Sequence, residues 1–261
     1  MNTRLLIMLA VLAASVWSVR RWRSAVKIAM VLLVFEGALR KWVFPGAQDL
    51  IYFAKDLILV GAYVGFFLSS RDRPRFELPP AALLYLSLAM AAGLGLFEIF
   101  NPNLPNILVG ILGFKAYFLY VPLMFVLPAV FDNDRDLARF LRWYFLLTIP
   151  VGLLAISQFW APAGSALNTY ARSDEFGSVA TFGTAHVRVT GTFAFISGYT
   201  SYLLAMVFLA LAILATISWR WRGGLLLYGA LGLTLLGILM SGSRAPVVNL
   251  LVLFPVYWWF A

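Results

Sequence analysis

The sequence predicts an all-α protein, a polytopic integral membrane helical bundle of about nine transmembrane helices with one long extracytoplasmic loop. Three observations lead there. Hydrophobic residues make up 62% of the 261 positions and charged residues 12%, against about 45–50% and about 25% in a soluble domain. A water-soluble fold of this size would have too little polar surface to cover itself. In hydrocarbon only helices and closed barrels satisfy their own backbone groups. The apolar runs are continuous rather than alternating, which selects helices over a barrel. Finally, arginines crowd into every second gap between the runs, as the positive-inside rule requires of cytoplasmic loops.

The runs fall at 5–19, 25–39, 51–68, 81–96, 107–130, 140–159, 201–217, 225–240 and 247–261. The first could be a cleaved signal peptide, since Ala13-Ala14-Ser15 has a small-residue look. Arg20, Arg21 and Arg23 follow at once and another apolar run begins behind them. Such a flank resists export, so the run reads as a retained span. Several runs fall short of the ~20 residues a perpendicular helix needs. Aromatic flanks such as Trp42-Val43-Phe44 and Trp219 to Trp221 complete them. Gly61 and Gly65 carry the GxxxG spacing of closely packed membrane helices. Pro122, Pro128, Pro150 and Pro255 should kink their helices. The chain stops inside an apolar run, at Trp258-Trp259-Phe260-Ala261, so further spans are expected beyond it.

Charge then orients the bundle. Arg20, Arg21 and Arg23, then Arg71, Arg73 and Arg75, then Arg135 and Arg139 with Arg142 next to them, then Arg220 and Arg222 mark the odd-numbered gaps. Those gaps face the cytoplasm. The N-terminus and the even gaps face outward. They hold Arg40 and Lys41, the uncharged stretch 101–106, the long segment 160–200 and the turn 241–246. The segment 160–200 is the one long loop. Its second half, 178–195, alternates loosely and is rich in Thr and Gly, so it is expected to be ordered and to dip back against the helix ends.

Several function classes fall away. The net charge of +9 is accounted for by arginines beside spans, not by nucleic-acid binding. There is no cysteine, so disulfides and thiolate chemistry are excluded, and the single His186 excludes a multi-histidine metal site. No residue pattern calls for a cofactor. The partner is the lipid bilayer, and the oligomeric state is not legible.

Some charges sit where hydrocarbon should be. Lys115 lies eight residues into its run, ~12 Å from the outward end. A charge near mid-membrane costs at least ~2.5–3.5 kcal/mol. Glu36, Lys55, Asp56 and Glu98 also lie in the outer half. Two readings stand side by side. Glu36, Lys55, Asp56 and Lys115 neutralise one another and pin helices together, or they line an outward polar cavity for a charged ligand. On the outer side Arg40, Lys41, Lys55, Lys115, Arg172, Arg188 and Arg244 outnumber Glu36, Asp56, Glu98, Asp174 and Glu175, so such a ligand would be an anion.

Two short motifs sharpen this. In Arg188-Val189-Thr190-Gly191-Thr192-Phe193 the guanidinium offers paired donors to phosphate, and Gly191 lets the backbone come close. In Ser241-Gly242-Ser243-Arg244-Ala245-Pro246 an arginine stands in a tight outward turn beside the first N–H groups of the next helix.

At these residues the chain resembles the O-antigen ligase and polymerase superfamily of bacterial inner-membrane glycosyltransferases. The likeness rests on Arg188, Gly191 and Phe193 as an Arg-x-x-Gly-x-Phe stretch, and on the Ser243-Arg244 turn after the next pair of helices. The stretch from Phe35 to Trp42 and the pair Lys55-Asp56 look like one branch of that superfamily. The resemblance implies a metal-independent, inverting sugar transfer outside the membrane, from a polyprenyl-pyrophosphate-linked glycan to a sugar hydroxyl, during surface polysaccharide assembly. It implies catalytic roles for Arg188 and Arg244 on the pyrophosphate. Lys115, Arg40, Lys41, Gly191, Ser243 and His186 are the candidate substrate-binding residues. Family members are usually longer, with a second external loop bearing a histidine and further arginines, and this chain ends before that region. The rival expectations are a transporter for an anionic solute and a non-catalytic or truncated membrane subunit.

Overall fold

The computed structural model describes residues 3–69, 82–171, 181–182, 186–216 and 221–260. The order is α1 (Thr3–Arg20), α2 (Trp22–Ala38), a π turn (Leu39–Val43), a 3-10 turn (Pro45–Ala47), α3 (Gln48–Leu68), α4 (Ala82–Glu98), α5 (Ile107–Phe118), α6 (Leu123–Val130), α7 (Asp134–Leu146) and α8 (Thr148–Trp160). There follow β1 (Thr181–Phe182), β2 (His186–Val187), α9 (Ile196–Thr216), α10 (Trp221–Met240) and α11 (Arg244–Phe260). The two strands form one antiparallel pair, with Thr181 opposite Val187 and Phe182 opposite His186.

Helix underlies all nine apolar runs, but the count of long apolar spans is smaller. Among the described residues, Thr3–Arg20, Pro45–Leu68, Asp134–Trp160 and Ile196–Leu214 are long and apolar enough to cross a membrane. Ile107–Phe118 and Leu123–Val130 make a fifth if taken together, bent by 44°. The other runs fall short for visible reasons. α2 carries Arg23, Lys27 and Glu36 within 17 residues. Ala82–Glu98, Gly224–Met240 and Arg244–Pro255 are apolar helices of lesser length. Of the four prolines expected to bend helices, Pro122 coincides with a break. Its ring cannot sit against the carbonyl four residues back in a continuous helix, and the chain turns between α5 and α6 there.

The described chain divides into two compact units. The first comprises 1–10, 28–55 and 133–261, and the second 11–27 and 56–132. In the first, α8, α9 and α10 pack around Val151, Ala155, Tyr199, Leu203, Ala230 and Ile238, with Tyr144 and Phe145 of α7 beside them. Small residues permit this approach. A Cβ on Gly152 would press on the Leu233 side chain. In the second unit the Gly61 and Gly65 spacing performs the expected task. A Cβ at either position would collide with the backbone of Ser15 or Val19 on α1. Asn106 and Asn133 cap α5 and α7, accepting from the N–H groups of Val109 and Asp136 at 3.1 and 2.9 Å.

Apolar side chains also cover the outside. Leu83, Phe97, Leu225 and Leu251 are more than two-thirds exposed. Water would not tolerate so many large apolar groups on one surface, whereas lipid tails would.

Candidate functional site

The segment after α8 does fold back on the bundle. Gln158, in the last turn of α8, is 1% exposed. Its Oε1 accepts from the N–H groups of Thr190 and Gly191 at 3.2 and 2.8 Å. Its Nε2 donates to the carbonyls of Leu167 and Gly191 at 3.0 and 3.2 Å. One amide thereby satisfies buried backbone groups that would otherwise cost about 1–3 kcal/mol each. Asn168 does the same for the turn after α8, donating to the carbonyls of Gln158, Ala161 and Pro162. Residues Val187 and Val189 to Phe193 are consequently buried. Gly191 turns the chain at φ +54°, in the left-handed region where glycine carries no steric penalty.

The other wall comes from the end of α2. Thr192 donates its hydroxyl to the Val34 carbonyl at 2.5 Å. Gly37 sits so close to the 192–194 backbone that a Cβ would overlap it. Beyond it the π turn carries Lys41 inward, where Nζ donates to Thr190 Oγ1 at 3.1 Å and to the Gly191 carbonyl at 2.8 Å. The same ammonium lies 4.4 Å from the Trp42 ring centroid, and Trp42 donates to the Ala166 carbonyl at 2.8 Å. Burial pushes the Lys41 amine down to about 7, because desolvation disfavours the charged form.

Arg188 joins this loop to the second motif. Its Nε donates to the Ser241 carbonyl at 3.0 Å, and the Val189 N–H donates to the Met240 carbonyl at 3.4 Å. Ser241 opens the turn that leads, three residues later, to Arg244 at the start of α11. Gly242 makes that turn at φ +61°. The Ser243 N–H donates to Ser241 Oγ at 3.2 Å, and Pro246 has no N–H, so the helix start offers the N–H groups of Arg244 and Ala245. Arg244 is exposed and has no partner among the described residues. The Nη groups of Arg188 likewise have none among them. The Arg188 loop and the turn that leads to Arg244 are thus hydrogen-bonded to each other.

Other expected residues are engaged elsewhere. Arg40 Nη1 holds Glu36 Oε1 at 2.9 Å, Lys55 Nζ holds Glu36 Oε2 at 2.7 Å, and all three are buried. Both cations also approach the Tyr52 ring, at 5.1 and 4.4 Å. In the second unit Lys115 Nζ pairs with Asp56 Oδ2, and Tyr120 donates to Asp56 Oδ1 at 2.7 Å. Of the two readings of these charges, mutual neutralisation is the one the structure draws. Arg40 and Lys115, expected to contact substrate, are each paired with a carboxylate. His186 stacks on Phe159 at 4.3 Å and 11°, and its Nδ1 lies 3.2 Å from the Phe159 carbonyl. Its ring is fixed at the end of α8, half-buried. Arg172, Asp174 and Glu175, with Arg71, Arg73, Arg75 and Arg220, lie outside the described residues.

Lys41, Gly191, Arg188 and Ser243 are therefore linked through hydrogen bonds in the first unit, and Arg244 follows directly in the chain. Gln158, which ties it together, escapes a sequence reading. The only signal for it is an amide inside an otherwise apolar run. No family model matches the chain, and no curated protein or solved structure is significantly similar to it.

Proposed function

We propose that this protein is a bacterial inner-membrane glycosyltransferase of the O-antigen polymerase or ligase type. It crosses the membrane about nine times with its N-terminus outside. It moves glycan from a polyprenyl-pyrophosphate donor to a sugar acceptor on the periplasmic side. The observation that carries the reading is the 3.0 Å bond from Arg188 to the Ser241 carbonyl, which links the Arg188 loop to the turn bearing Arg244. Two arginines on segments linked in this way suit a diphosphate, since each guanidinium presents a planar fork of donors.

The step balances simply. The acceptor hydroxyl oxygen attacks the anomeric carbon as its bond to the pyrophosphate oxygen breaks. The electron pair of that bond stays on the pyrophosphate, and the hydroxyl proton passes to a base or to water. Arg188 and Arg244 neutralise the charge that grows on the leaving group. Lys41 supports the loop from beneath through Thr190 and Gly191. A transporter reading would use Lys55, Asp56 and Lys115 to line a solute path, and their engagement in ion pairs speaks for a packing role instead. The test is polymer length in cells. Arg188→Ala and Arg244→Ala strains with normal protein levels should lose long surface polysaccharide, and normal polymer in both would reject the proposal.

A further inference from the structure

A second arginine group stands at the opposite end of the span that supports the site. Arg135, Arg139 and Arg142 of α7 line a cleft of about 460 Å³ together with Leu146 of α7 and Leu226 and Leu227 of α10. Spacings of four, three and four residues put the three arginines and Leu146 on one stripe of the helix. None of the three arginines has a hydrogen bond or ion pair to a described residue. Asp134 and Asp136 occupy the first turn of the same helix and do not line the cleft.

We infer that this cleft binds the phosphate headgroup of an anionic phospholipid. The depth of its residues argues for a lipid. The span Asp134–Trp160 has 27 residues, whereas hydrocarbon takes about 20. Counted back from Trp160 at the far interface, the surplus is the start of α7, which bears Arg135 and Arg139, and Arg142 lies within a turn of it. Trp143, which also borders the cleft and is 67% exposed, then stands at the hydrocarbon boundary, where indole rings collect. The Arg135 and Arg139 guanidiniums lie at headgroup level and that of Arg142, just inside the boundary, reaches it by snorkelling, with Leu146, Leu226 and Leu227 available to the first methylenes of an acyl chain. A basic pocket between membrane helices with an apolar floor matches an anionic amphiphile on both counts. A soluble phosphate would use only the first.

The inference rests on Asp134–Trp160 spanning the bilayer and is independent of glycan transfer, so either can fail alone. The test is native mass spectrometry of the purified full chain in detergent, titrated with dioleoyl phosphatidylglycerol. One equivalent should be retained, dioleoyl phosphatidylcholine should not, and excess inorganic phosphate should not displace it. The triple variant Arg135→Gln/Arg139→Gln/Arg142→Gln should weaken retention about a hundredfold. The exposed pair Arg20→Gln/Arg21→Gln should leave it unchanged. Equal retention of phosphatidylcholine, displacement by inorganic phosphate, or the same loss in the Arg20 and Arg21 variant would overturn the site. If the triple variant does not fold, the comparison of lipids on the unaltered chain decides.

Discussion

Lys41 is a buried ammonium that donates to Thr190 Oγ1 and the Gly191 carbonyl, and its pKa of about 7 has a consequence for stability. In the unfolded chain the amine titrates at its ordinary value of 10.5. Between those values the unfolded state holds the extra proton, so stability rises with pH from about 7 to 10.5 and the penalty is fully present below 7. The gain is bounded at about 5 kcal/mol. Lys41→Met should flatten that rise, read as the difference in thermal unfolding between the two proteins at several pH values. An unchanged slope would show the lysine to be solvated. Gly191 makes a second prediction at this scale. A Cβ there would meet Tyr199 and Val151 at 3.0 and 3.1 Å, and the left-handed backbone adds about 1–2 kcal/mol of its own. Gly191→Ala should destabilise the protein by about 2 kcal/mol or more and lower activity by displacing Arg188. Calorimetry together with a polymer assay checks both parts.

At the scale of elements, charges hold helices in register. Lys115 of α5 and Asp56 of α3 form an ion pair, with side chains 16% and 6% exposed. Removing one partner leaves an uncompensated buried charge and costs about 3–5 kcal/mol, while replacing both with apolar groups is often neutral. Lys115→Met should therefore lower the unfolding midpoint sharply, and Lys115→Met/Asp56→Leu should restore most of it. If the double variant is as unstable as the single one, the pair does more than pin helices. The elements themselves were largely legible. Continuous apolarity forecasts helix in every run because backbone satisfaction leaves no other choice in lipid, and the Gly61 and Gly65 spacing forecasts close contact. Fewer of the runs meet the length and apolarity of a span on their own, four or five among the described residues, because apolarity alone does not measure length against interruption. α2 carries three charges within its 17 residues, and α11 carries Pro255 within it. The tie among Gln158, Lys41 and Gly191 was not legible, because it joins residues 33 and 150 positions apart, and no local pattern encodes such a contact. Arg188 and Arg244 could be named because each sits in a short motif of its own.

Among the described residues, two arginine-bearing groups stand at opposite ends of one long apolar helix pair. Along Asp134–Trp160 one end bears Arg135, Arg139 and Arg142, and the other meets His186 and the Arg188 loop. A rise of 1.5 Å per residue separates those ends by about 40 Å, the full depth of a bilayer with its headgroups. The large apolar side chains left on the outside suit the same solvent. On this account each arginine group handles phosphate at its own surface, and the one near Arg244 handles the diphosphate of a lipid carrier. The most direct measurement is the affinity of the purified full chain for a polyprenyl diphosphate. Arg188→Ala and Arg244→Ala should each weaken binding at least about tenfold, and the polyprenol lacking phosphates should bind poorly to every form. Equal affinity in both variants, or equal binding of the bare polyprenol, would contradict the account.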